Sequence, residues 1–109
     1  MYHAYKMCID VCMNCVALCN HCAYSCLQEK DVNKMAYCIR LDLECAAICK
    51  AAAELMSYGS RHANAICQVC ADICQLCAEE CEKHHMDHCK ECAVACRTCA
   101  EECLSMVAA

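Results

Sequence analysis

Proline, tryptophan and phenylalanine are absent from this chain, and glycine occurs once. Collagen and Gly/Pro-rich disorder need the residues that are missing. Sheet-rich folds need Gly- or Pro-type turns and strands of β-branched or aromatic residues, and both are scarce. Basic residues are few: 9 Lys and Arg stand against 14 Asp and Glu, for a formal net charge of −5. They are scattered, which speaks against a nucleic-acid partner. Charges also recur too often for an apolar run of ~20 residues, so no membrane span is expected. The opening Met1-Tyr2-His3-Ala4-Tyr5-Lys6 has no apolar stretch followed by a small-residue cleavage site. We therefore expect no export signal and a cytoplasmic protein.

What is present is cysteine, 19 in 109 residues. The length suits a single domain, 1–109. Val, Ile and Leu together number only 18, while Ala alone also numbers 18. That leaves too little ordinary core for a folded chain unless cysteine, which packs as a small hydrophobe, fills it. A disulfide scaffold is disfavoured: the cysteine count is odd, cytosolic thiols stay reduced, and the spacing is too regular for a loop-rich fold.

The cysteines fall into four groups: Cys8, Cys12, Cys15, Cys19, Cys22 and Cys26; Cys38, Cys45 and Cys49; Cys67, Cys70, Cys74, Cys77 and Cys81; Cys89, Cys92, Cys96, Cys99 and Cys103. Steps of three and four alternate, as do the core positions of a heptad. On a helix the first group spans an arc of roughly 80°. On a strand the same steps would alternate faces. The pattern C-x2-C-x3-C-x2-C-x3-C occurs at Cys12–Cys26, Cys67–Cys81 and Cys89–Cys103, and the last two copies share 9 of 15 residues. The second group is thinner, with Asp42, Ala52 and Met56 on or near its stripe.

Short polar breaks separate the groups: Glu29–Asn33, then Ser57-Tyr58-Gly59-Ser60, then His84–Asp87. The sequence predicts helices over 3–28, 34–57, 61–83 and 88–106, with Gly59 as a C-terminal stop and Ser60 and Asp87 as caps. Short connections make sequential helices antiparallel. The expected fold is all-α, an up-down-up-down four-helix bundle with a cysteine-lined core. Leu and Ile residues such as Ile9, Leu18, Ile39, Leu43, Ile66 and Leu76 lie beside or off the stripe. They suit contacts between helices and an oligomer surface.

Thiolates are soft ligands for Cu(I), Zn(II) or iron–sulfur clusters. A buried charge is costly unless compensated. One Cu(I) per thiolate leaves the core nearly neutral. Zinc at four sulfurs leaves about two excess negative charges per site. Eight Cys-x3-Cys pairs can each bridge a two-coordinate ion with the helix intact: Cys8/Cys12, Cys15/Cys19, Cys22/Cys26, Cys45/Cys49, Cys70/Cys74, Cys77/Cys81, Cys92/Cys96 and Cys99/Cys103. Ag(I) shares the charge and softness of Cu(I). The first and third loops share one end, which gathers Met35, His84, His85, Met86 and His88 as candidate ligands for an entrance. His85 nears the thiol stripe if either adjoining helix runs through it. His3, His21 and His62 point away. Met7, Met56 and Met106 sit towards the other end and read as gap-filling core, with a plug or weak ligand as the alternative. Asp42 has several readings: a partner for Arg40, a contact with a neighbouring helix, or a place at the mouth.

These residues resemble the cysteine-rich four-helix-bundle copper storage proteins, most closely the cytosolic bacterial branch. The marks are the heptad ladder, Cys38-Ile39-Arg40-Leu41-Asp42 leading to Cys45 and Cys49, Cys67–Cys81, and the His-rich turn before Cys89. The resemblance implies storage of many Cu(I) ions on the nineteen cysteines, with His88 carried over more safely than His84 or His85. It also implies a homotetramer and no catalytic turnover. Proteins that donate or receive the copper are not named by the sequence. The competing readings are a metallothionein-like zinc or soft-metal buffer, a Cys-x2-Cys redox enzyme, a structural bundle and an iron–sulfur carrier.

Overall fold

Thiols at heptad spacing serve here as leucines serve in an ordinary bundle. They define one face of each helix, and four such faces close on a common axis. The computed structural model describes residues 2–108. Helix α1 spans Tyr2–Leu27, α2 Ala36–Ser57, α3 Ala63–Glu82 and α4 Asp87–Ala108, and a 3-10 turn, Val32–Met35, leads into α2. No strand occurs among the described residues. The molecule measures 46 Å along its axis and 19 by 18 Å across. Each helix packs on its two neighbours, and the diagonal pairs stay apart at the backbone level.

Small residues make the bundle narrow. Ala23, Ala46, Ala53, Ala71, Ala78, Ala93 and Ala100 are buried beside the cysteines. They let neighbouring helices approach closely where larger side chains would hold them apart. Ile9 and Leu41 are buried, and Leu18, Ile39 and Ile66 are half-buried against the core. Leu43 and Leu76 are instead exposed. Burial near the far end divides the methionines. Met56 is fully buried and Met106 packs against the core from its edge, but Met7 is 64% exposed and fills no gap.

The helix ends follow local chemistry. Gly59 has φ 65°, the left-handed conformation that closes a helix. Its N–H donates to Met56 O at 3.1 Å, and Ser60 N–H donates to Leu55 O at 3.0 Å. Both orphaned carbonyls are thereby satisfied. Ser60 does not cap α3 as expected: its Oγ accepts from His62 N–H at 3.0 Å in the preceding turn, and α3 starts at Ala63 with His62 at its N-cap. Asp87 lies inside the first turn of α4, where its carboxylate favours the positive end of the helix dipole. The 3-10 turn takes the residues expected to open α2.

Helix α1 is long and apolar enough, by length and composition, to cross a membrane, contrary to the sequence expectation. Its cysteines supply much of that apolarity, and all six face the bundle interior. On its outer side Lys6 pairs with Asp10 at 2.6 Å.

Replacing Gly59 by Ala should destabilise the metal-free protein by about 1–2 kcal/mol, the cost of a Cβ in the left-handed region. Urea unfolding of the reduced protein measures it. An unchanged midpoint would show that this turn relaxes without cost.

Candidate metal centre

All nineteen cysteines are buried and none is in a disulfide. Neighbouring sulfurs lie 3.5–3.9 Å apart, far beyond a disulfide bond of about 2.05 Å. The heptad steps place cysteines from different helices at matching heights. Near the middle, Cys15 reaches Cys45 at 3.9 Å and Cys96 at 3.8 Å. Cys45 reaches Cys74 at 3.5 Å, and Cys45 and Cys96 meet across the diagonal at 3.8 Å. Towards the chain termini the column continues through Cys49, Cys70, Cys99 and Cys12 to Cys103 and Cys8. Towards the first and third loops Cys19 meets Cys92, Cys92 and Cys38 both face Asp42, and Cys38 clusters with Cys22, Cys26 and Cys89. Of the eight Cys-x3-Cys pairs, five have sulfurs 3.8–3.9 Å apart: Cys15/Cys19, Cys22/Cys26, Cys45/Cys49, Cys70/Cys74 and Cys92/Cys96.

Sulfurs gather in overlapping sets of four, all within 4.8 Å of one another. Two of these are Cys15, Cys19, Cys45 and Cys96, and Cys19, Cys77, Cys92 and Cys96. A tetrahedral zinc site has sulfur edges of about 3.8 Å, so distance alone admits zinc. The overlap does not favour it. Cys19 and Cys96 belong to both sets, whereas a closed four-coordinate site keeps its ligands to itself. Shared sulfurs suit bridged ions along a continuous column.

Burial disfavours ionisation of the outermost thiols at the loop end. It pushes the Cys89 thiol up to about 11 and raises that of Cys26 as well. A thiolate there would be a buried anion without a counter-charge. Asp42 is in the same position. It is fully buried, and it does not pair with Arg40, which binds Glu44 at 3.0 Å. Its Oδ1 accepts from Cys77 at 3.3 Å, Cys92 at 3.4 Å and Cys81 at 3.6 Å. Burial, and then the sulfurs of Cys92, Cys77 and Cys38, push its carboxyl up to about 10. Asp42 is thus a member of the column. Its place was marked in the sequence, because it stands where Cys38 would otherwise have its i+4 thiol.

The histidines of the third loop separate clearly. His88 joins the column: its Nδ1 lies 3.6 Å from the sulfurs of Cys22 and Cys89 and 3.9 Å from that of Cys26. Its Nε2 faces Glu29 Oε1 at 3.3 Å. With Nε2–H donating to Glu29, the Nδ1 lone pair points at the sulfurs, an arrangement that orients a ligating imidazole. Glu29 is a contact that sequence spacing does not reveal, since the two residues are far apart in the chain. His84 lies on the rim, its Nε2 2.9 Å from Glu80 Oε2. His85 is exposed, because α3 stops at Glu82 and α4 begins at Asp87 and neither helix carries it to the stripe. Both line a shallow cavity of about 540 Å³ with Glu29, Met35 and Met86, which confirms that the two loops share an end. His3, His21 and His62 are exposed, as expected.

Comparison with known proteins agrees with this geometry. The family described as Csp, copper storage protein, matches residues 1–108. The uncharacterized cysteine-rich protein YhjQ of Bacillus subtilis is 50% identical over 83 residues, 76% of this chain and 77% of that one. Among solved structures, the Cu(I)-bound copper storage protein BsCsp3 superposes with a TM-score of 0.91 at 48% identity, covering 94% of this chain and 97% of its own. A cytosolic copper storage protein from Streptomyces lividans, solved with five coppers, gives 0.92 at 37% identity, covering 98% and 94%.

The buried carboxyl of Asp42 carries a pH signature in the metal-free protein. Its folded value is raised above the ordinary 3.8, so its contribution is most favourable below about pH 4 and is lost as pH rises towards 10. The stability of the wild type relative to Asp42→Asn should therefore fall with rising pH, by up to about 1.4 kcal/mol per unit. Urea unfolding of both proteins, reduced, between pH 4 and 8 reads this difference. A flat difference would mean that Asp42 is ionised in the fold.

Proposed function

The chain belongs to the copper storage protein family, and from that premise we propose that it stores many Cu(I) ions per chain on the thiolates of its core. One observation carries the reading: nineteen buried, reduced sulfurs line the bundle axis in overlapping clusters, with no Lys or Arg buried among them. Each Cu(I) replaces one proton, so the column is neutral empty and nearly neutral full. Zinc at four thiolates per ion would leave about two uncompensated charges at each buried site. The ligands are Cys8, Cys12, Cys15, Cys19, Cys22, Cys26, Cys38, Cys45, Cys49, Cys67, Cys70, Cys74, Cys77, Cys81, Cys89, Cys92, Cys96, Cys99, Cys103 and His88.

Ions are admitted at the end that holds His88. The cavity lined by His84, His85, Met35 and Met86 lies over that end and offers borderline and soft donors. His84 and His85 act on ions in transit, and His88 passes them to Cys22, Cys26 and Cys89. No step requires turnover, so the protein is a store and not an enzyme. The reduced thiols suit the cytoplasm, as does the likeness to a cytosolic relative. Exposed apolar side chains, among them Leu43 at 54%, Leu76 at 49% and Val94 at 67%, support assembly into a homotetramer. Copper donor and recipient proteins would complete the cycle.

The test is anaerobic titration of the reduced protein with Cu(I) against a chromophoric chelator, with thiol and metal counted on one sample. Uptake should approach about one ion per thiol and well exceed ten per chain. Loading should raise the melting temperature, since the ion binds the folded state. Replacing core cysteines with Ser or Ala should lower capacity in step with the thiols removed and leave the helical circular dichroism intact. Full loading of such variants would refute the reading, and preference for Zn(II) in direct competition would favour a zinc buffer.

A further inference from the structure

Three cysteines, Cys38, Cys67 and Cys89, have no thiol four residues away on their own helix; the other sixteen form the eight Cys-x3-Cys pairs. Each of the three meets a different kind of donor. Cys38 faces Asp42 Oδ2 at 4.0 Å, and Cys89 faces His88 Nδ1 at 3.6 Å. Cys67 donates to Met56 Sδ at 3.7 Å. The first two contacts lie on the side of the column near the loop histidines. The third lies at the opposite end, beside Cys8 and Cys103, which are 3.7 Å apart.

Met56 occupies the α2 position of the terminal layer. The stripe on α2 runs Cys38, Asp42, Cys45, Cys49, Ala52, Met56, and the other three helices place Cys8, Cys67 and Cys103 around this end. Ala52 and Met56 are both fully exposed to the core and not to solvent, at 0% accessibility. A leucine would fill the volume equally well, and the thioether differs from it in offering a soft, neutral donor. Neutrality suits this end. One thiolate and one Cu(I) cancel, and a thioether completes the coordination without adding charge to a buried site.

We propose that Met56 Sδ and Cys67 Sγ are joint ligands of one Cu(I) ion in the terminal layer, so that the column ends in a thiolate–thioether site. This rests on the Cu(I)-storage reading. The electron count is simple: Cys67 loses its proton to solvent as the ion arrives with its charge of +1, and nothing is oxidised or reduced.

The experiment loads the whole reduced protein anaerobically with 109Ag(I), which shares the charge and softness of Cu(I), and records proton–silver correlations through bonds. Uptake of Ag(I) and Cu(I) is verified first. The Met56 methyl is identified by its loss in Met56→Leu or, if that variant does not fold, by its through-space contacts to Cys67 in the wild type. One silver frequency should couple to both the Met56 methyl and the Cys67 β-protons. In Cu(I) titrations, Met56→Leu should lose about one ion of capacity with helicity unchanged. A fully loaded wild type whose Met56 methyl shows no silver coupling overturns the proposal and leaves the storage reading standing. So does a folded Met56→Leu protein with undiminished capacity and affinity. A wild type that takes up neither ion overturns both.

Discussion

Burying nineteen thiols around one axis without nearby cations imposes a condition of charge neutrality. The empty column meets it by staying protonated, because an ionised thiol buried there has no cation beside it, and burial raises Cys26, Cys89 and Asp42 accordingly. A filled column meets it only if each departing proton is replaced by a single positive charge. This condition selects a monovalent soft ion more sharply than sulfur geometry does, because the interatomic distances also fit a tetrahedral divalent ion. It also accounts for the absence of Lys and Arg from the core. A resident cation would neutralise a thiolate permanently and remove that position from exchange.

The same condition shapes the packing. Cysteine and alanine are small, so the core buries less apolar surface per residue than one of leucine, and a metal-free bundle of this kind has a modest hydrophobic driving force. Length compensates in part. Four helices of 20–26 residues repeat the same shallow contact along the whole 46 Å. Larger apolar residues are pushed to the seams, where Ile9 and Leu41 are buried, or to the outside, where Leu43, Leu76 and Val94 are exposed. An outer apolar surface is thus a consequence of reserving the interior for thiols, and burying it between copies would return some of the stability that the core gives up.

The fold was legible because it has a single strong period. Steps of three and four put every cysteine on one stripe, and short breaks fixed the antiparallel order. The details that escaped depend on contacts between residues remote in the chain. Asp42 could be placed on the stripe but not given a partner, since its donors Cys77, Cys81 and Cys92 come from α3 and α4. His88 could be placed beside Cys89, but its orienting partner Glu29 comes from the first loop. His85 failed to reach the column because loop residues do not inherit the helical period. Met7 and Met56 lie near the same end and looked alike; one is exposed and the other buried because Met56 continues the stripe of its helix and Met7 does not.

The two ends of the column differ in chemistry, and this gives a symmetrical bundle a direction. At one end polar loops, Glu80 with Lys83 and His84, and the His88–Glu29 pair surround the outermost thiols. Charged and borderline donors there stay in contact with water and can meet an ion before it is desolvated. At the other end Met56 is buried, and Tyr5, Ile66, Met106 and Val107 pack against the core. An ion crossing that end would shed its ligands before meeting new ones. Between the ends, sulfurs stand in overlapping clusters within 4.8 Å of one another, so an ion could take its next sulfur before releasing the last. The cost of motion along the column is then the small difference between adjacent sites, while the cost of leaving through the apolar end is full desolvation of a charge. On the proposed storage reading, filling and emptying would then share the histidine end, and the sulfurs nearest the apolar end would hold their ions deepest.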